Sequence, residues 1–119
     1  MGAEDIEKEL NALGYETIRP TTDFVSFQFK IPHGKFRGQE VDIALHTPNY
    51  PDIPPSGPHI KPFLLPFKGG TVFPYDGIHE RKQPTAEYQY WSRPFKDWDK
   101  TEKNMRVYLA FLRTIFDFE

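Results

Sequence analysis

Ile6, Leu10 and Leu13 recur at i, i+4 and i+7, so residues 4–13 carry one apolar stripe and are predicted to form an amphipathic helix. Its other side holds Glu4, Glu7, Lys8, Glu9 and Asn11, and Gly14 stands where a helix stop needs left-handed backbone. The period then changes to two. A short strand is expected over 15–18, ahead of Pro20. Val25, Phe27, Phe29 and Ile31 alternate with Ser26, Gln28 and Lys30, which predicts an antiparallel strand over 25–31 with one buried face. Pro32-His33-Gly34 opens a turn that runs to Gly38. Val41, Ile43 and Leu45 then alternate with Asp42, Ala44 and His46 in the next strand of a meander.

Beyond Thr47 the periodicity fades. Proline recurs as far as Pro58, so a central strand is not expected there. Residues 59–67 are apolar but broken by Pro62 and Pro66, leaving room for a short edge strand and a loop. Residues 71–100 read as a long structured loop with pieces of strand, and so long a loop in a compact domain raises the expectation of a functional role. Helical spacing returns at the end: Met105, Leu109, Leu112 and Phe116 form a stripe widened by Tyr108, Phe111 and Ile115. The helix is expected from about Thr101 to Phe116, with Thr101 as N-cap and Asn104 at the capping-box position. The order helix, antiparallel meander, Pro-rich loop, helix is an α+β pattern, and 119 residues suit one domain over 1–119.

Composition and charge change this picture. Eleven Phe, six Tyr and two Trp supply a core from few residues, since each aromatic ring buries about 150–250 Å². Aromatics run through the proline-rich stretch too, so it reads as packed rather than disordered. A net charge of −2 offers no overall basic field for nucleic acid. No apolar run nears the roughly 20 residues of a membrane span, and the acidic start Met1-Gly2-Ala3-Glu4-Asp5 is unlike a secretory signal, so a cytoplasmic location is expected. With no cysteine there is no disulfide, no thiolate metal ligand and no thiol nucleophile.

Several segments carry a resemblance. "IEKELNAL" is similar to the first helix of the ubiquitin-conjugating-enzyme (UBC) superfamily. "GKFRGQEVDIALHTPNYPDIPP" resembles that superfamily's second and third strands and the loop after them, with Phe36, Gly38, Pro48, Tyr50-Pro51 and Pro54-Pro55 at the expected spacing. Trp98 lies nine residues before Val107, as does the tryptophan ahead of the superfamily's second helix. "ALGY", "KIPHGKF", "YPDIPP" and "YQYWSRP" further resemble a bacterial UBC-like family encoded beside multi-ubiquitin proteins, ThiF-type activating enzymes and JAB metalloproteases. The resemblance implies the UBC-like fold. As partners it implies a ubiquitin-like protein or its ThiF-type activating enzyme, and an active conjugating enzyme is a further option. It implies no cofactor.

The departures bear on chemistry. The superfamily's catalytic cysteine lies about eight residues before the tryptophan, and counting back from Trp98 reaches Tyr90. Its His-Pro-Asn triplet falls near Ile78-His79-Glu80-Arg81-Lys82-Gln83, where only the histidine is echoed. Thioester transfer needs a thiolate, so a non-covalent binding role is expected. The alternative is an enzyme whose cysteine has been replaced at Ala86 or Ser92, or one that uses other chemistry. For the latter, Ser92 and Tyr90 are the candidate oxygen nucleophiles and His79, near Asp76 and Glu80, the candidate base. A serine in this setting more often caps a turn, and a histidine within three residues of two carboxylates is common on solvated loops. Candidate partner contacts are Trp91, Arg93, His79 and Asp97, because Trp and Arg dominate interface hot spots. Trp91 divides evenly between interface and core, whereas Trp98 is expected in the core. His33, His46 and His59 are dispersed without ligand spacing and are expected to be structural rather than metal-binding.

Overall fold

The computed structural model describes residues 2–34, 36–61, 78–80, 88–91, 93 and 95–116. In chain order they form α1 (Ala3–Ala12), β1 (Thr17–Thr21), β2 (Phe24–Lys30), β3 (Glu40–His46), β4 (Ser56–Lys61), β5 (Ile78–Glu80), β6 (Gln89–Trp91), a 3-10 turn at Trp98–Lys100 and α2 (Met105–Ile115). The six strands make one sheet in the order β1-β2-β3-β4-β6-β5, and every neighbouring pair is antiparallel. The fold is α+β, as the periodicity predicts.

The first helix ends where the sequence places its stop. Gly14 adopts φ +98°, its N–H donates to Asn11 O, and the Tyr15 N–H reaches back to Leu10 O. This pair of bonds is a Schellman closure, which a left-handed residue at that point makes possible. Ile6 and Leu10 are fully buried against the sheet and Leu13 packs on the same cluster.

β1 runs through Pro20, past the end expected for it. It is an edge strand whose register with β2 shifts between Ile18 and Thr21, so the missing proline N–H removes no regular ladder bond. The β2–β3 hairpin follows the sequence pattern from Phe24↔His46 to Lys30↔Glu40.

β4 corrects the sequence reading. It is a central strand between β3 and β6, and it includes Pro58. The pairs Ala44↔His59 and His46↔Ser56 leave Leu45 opposite both Gly57 and Pro58, which is a β-bulge. Pairing to β6 involves only His59 and Ile60. Pro58 thus sits where neither ladder asks for a donor, and the strand survives its proline.

α2 also starts later than expected. Thr101 caps no helix: its hydroxyl donates to Trp98 O at 2.7 Å and accepts from the Lys103 N–H at 3.1 Å. Lys103 adopts φ 54°, which no α-helix accommodates, and Asn104 is the true N-cap, accepting from the Val107 N–H at 2.9 Å.

Both helices cover one face of the sheet. Val25, Phe27 and Phe29 of β2, Val41, Ile43 and Leu45 of β3, and Ile60 and Trp91 form one cluster with Ile6, Leu10, Met105, Tyr108, Leu109 and Leu112. The other face has a smaller cluster of Phe24, Ala44 and Tyr88. Ser26, on the strand's polar side, is buried there with its Oγ 3.2 Å from the Tyr88 hydroxyl, while Gln28 is exposed. No described helix is long and apolar enough to cross a membrane.

Candidate functional site

Of the sequence-predicted site residues, Tyr90 and Trp91 lie on β6, His79 on β5, and Arg93 and Asp97 in the chain after β6. Alternation along Gln89-Tyr90-Trp91 sends the first and third side chains to the helix-covered face and the second to the opposite one. Trp91 is fully buried, with its ring near Phe116 at 5.4 Å and Phe36 at 6.5 Å. Its indole N–H donates to Gln89 Oε1 at 2.9 Å, and Gln89 is itself fully buried. Of the two readings of Trp91, its enclosure is that of a core residue.

Tyr90 is half-buried on the outer face. Its ring lies 4.8 Å from that of His59, its cross-strand partner on β4. On the other side the backbone register sets it opposite His79 of β5. Two candidates more than ten positions apart in the chain are therefore neighbours in the sheet, and His59, read as structural, is the third member of that row. Nearby, Lys61 pairs with Asp42 at 3.5 Å and lies over the Tyr88 ring at 5.4 Å. Phe24 touches both His46 and His59, with ring centroids 4.9 and 5.1 Å apart.

The remaining candidates do not gather on this row. Arg93 is half-buried just past β6. Asp97 is exposed ahead of the 3-10 turn and lies 3.9 Å from the Lys100 ammonium, a distance that contributes little at a solvated surface. Ser92, Ala86 and Asp76 lie outside the described residues. Among the described residues, no three His, Cys, Asp or Glu side chains group to hold a metal.

Trp98 is the anchor of this end of the molecule. It is buried, its indole N–H donates to Pro51 O at 2.7 Å, and its ring sits near Tyr50 and Phe95. Sequence reasoning missed the neighbouring junction. Glu9, assigned to the polar side of α1, accepts from the Tyr50 hydroxyl and from the Met105 N–H through the same Oε1, each at 2.8 Å. One carboxylate thus joins the first helix, the Pro-rich loop and the first residue of α2. Burial, then the bond to Glu9, raises the Tyr50 hydroxyl well above the usual tyrosine range. Burial likewise raises Tyr108, whose enclosed hydroxyl has no hydrogen-bond partner among the described residues. No local spacing signals Glu9, because its partners lie 41 and 96 residues away.

An amino-terminal helix, an antiparallel meander, a Pro-rich turn and a tryptophan-anchored segment leading into a second helix place the molecule in the UBC-like class of α+β domains. The model of prokaryotic E2 family E matches residues 6–117, and the chain belongs to that family. Comparison with curated proteins and with solved structures returns no match.

Proposed function

We propose that this chain is a catalytically inactive conjugating-enzyme-like protein, a non-covalent binding module in a bacterial ubiquitin-like modification system. Its partners are a ubiquitin-like protein or the ThiF-type activating enzyme encoded with it, and it acts in the cytoplasm as a single domain. One observation carries this reading: the family's scaffold is present while the chain contains no cysteine at all. A thioester carrier must both accept and release its cargo, and thiolates do so readily where unactivated hydroxyls do not. Calorimetric titration with the ubiquitin-like protein and with the activating enzyme tests it. Saturable binding to at least one is expected; heat-silent titrations with both would remove the reading.

A second reading is favoured by the Tyr90↔His79 register. A phenol on the strand between two that carry His59 and His79 at paired positions could serve as an oxygen nucleophile, with histidine as the base. This predicts an ester adduct on incubation with activating enzyme, ATP and ubiquitin-like protein, abolished in Tyr90→Phe. Loss only in Ser92→Ala would move the chemistry to that residue instead.

A further inference from the structure

The exposed side of α2 carries two arginines and two small residues. Arg106, Ala110 and Arg113 recur at i, i+4 and i+7 and are all exposed. Seven residues at a 1.5 Å rise set the two arginines about 10 Å apart along the helix. Neither forms an ion pair among the described residues. Arg106 also borders a depression with Glu9, Leu13 and Asn104, but Glu9 Oε1 is occupied by Tyr50 and Met105.

Next to the arginine row the helix surface is low, with exposed Ala110 and Thr114. Beyond these rises half-buried Phe111, its ring stacked on Phe95 at 4.4 Å. The result is a saddle of small side chains with a cationic rim on one flank and an aromatic rim on the other. Guanidinium groups recognise carboxylates through paired N–H donors, and an alanine between them lets a partner chain come close.

We propose that this side of α2 docks an acidic polypeptide segment. Its carboxylates meet Arg106 and Arg113, and its apolar side chains lie over Ala110 and against Phe111. The inference rests on the binding-module reading and adds to it a surface and a partner chemistry. Exposed arginines that form no ion pair among the described residues favour an acidic partner over a second copy of this chain, whose own outward α2 side would repeat the same charge.

The test uses the full chain, nitrogen-15 labelled, titrated with a peptide of glutamate carrying leucine at helical spacing. Its counterpart has lysine in place of glutamate. Amide shifts confined to residues 106–114 are expected with the glutamate peptide and none with the lysine peptide. The apparent affinity should fall at least ~tenfold in R106E/R113E, and also in Ala110→Trp, which keeps the charge but fills the saddle. These positions are exposed, so unchanged melting temperatures should accompany both variants. Shifts elsewhere, shifts that survive both variants, or equal binding of the lysine peptide would overturn the proposal. If the ubiquitin-like protein or activating enzyme binds R106E/R113E as it binds the unaltered chain, and the peptide gives no α2 shift, the surface is wrong and the binding-module reading stands. If neither partner binds the unaltered chain, the reading itself fails.

Discussion

The two faces of the sheet are furnished with different chemistry. Under the helices, β2 and β3 contribute Val25, Phe27, Phe29, Val41, Ile43 and Leu45, and β6 contributes Trp91. Across the opposite face the register aligns Ser26, Ala44, His59, Tyr90 and His79 on five successive strands. The first set is apolar and enclosed, the usual source of stability, at about 1.5–3 kcal/mol for each large side chain buried. The second row carries hydroxyls and imidazoles. The side chains of adjacent residues in the three-residue β6 therefore enter two different environments.

The largest expected effect is at Trp91. Trp91→Ala should cost about 3–5 kcal/mol, because it empties an enclosed site beside Phe116 and removes the indole hydrogen bond to Gln89 Oε1. Tyr90→Phe, one position away, keeps the ring and should change stability by less than about 1 kcal/mol. Denaturant midpoints compare the pair, and equal losses would mean that the two faces of β6 are not distinct.

Phe27→Ala should also cost about 3–5 kcal/mol, against no more than ~0.5 for exposed Gln28→Ala. A slip of the β2 register would reverse that ratio. Glu9→Ala should cost about 1–3 kcal/mol despite its place on the polar side of α1, since it leaves the Tyr50 hydroxyl and the Met105 N–H without their acceptor. A neutral result in thermal unfolding would show that water replaces the carboxylate.

The smallest effect has the opposite sign. Tyr108→Phe removes a buried hydroxyl that has no partner among the described residues and should leave stability unchanged or raise it by up to ~1 kcal/mol. Alkaline titration sharpens this. Both Tyr50 and Tyr108 are raised above the ordinary tyrosine value, so above about pH 10 the unfolded chain releases protons that the native chain retains. Stability is then fully present below about pH 10 and declines as pH rises further. Replacing both tyrosines with phenylalanine should flatten that decline.

The front of the sheet could be read from the chain because burial on one face imposes alternation, and Val25 to Ile31 keep it without a break. β4 could not be read, since Pro58 argues against a central strand unless the bulge opposite Leu45 is known, and a bulge is a property of two strands. The α2 start is misplaced at Thr101 for a local reason: Thr101 and Asn104 are both capping residues, and only the left-handed backbone of Lys103 decides between them. For the candidate site, counting from Trp98 reached Tyr90, and the periodicity of so short a strand could not say which neighbour faced the core. The pairing of Tyr90 with His79 and the Glu9 junction are contacts across long stretches of sequence, invisible to any local pattern.

The most direct test of the account joins the chain to a matched activating enzyme, ATP and a ubiquitin-like protein, and follows the products on a non-reducing gel and by intact mass. The account predicts a single species at the mass of the unmodified chain, with no thiol-sensitive and no hydroxylamine-sensitive adduct. A hydroxylamine-labile adduct that disappears in Tyr90→Phe or Ser92→Ala, and again in His79→Ala, would contradict it and make the protein a cysteine-free conjugating enzyme.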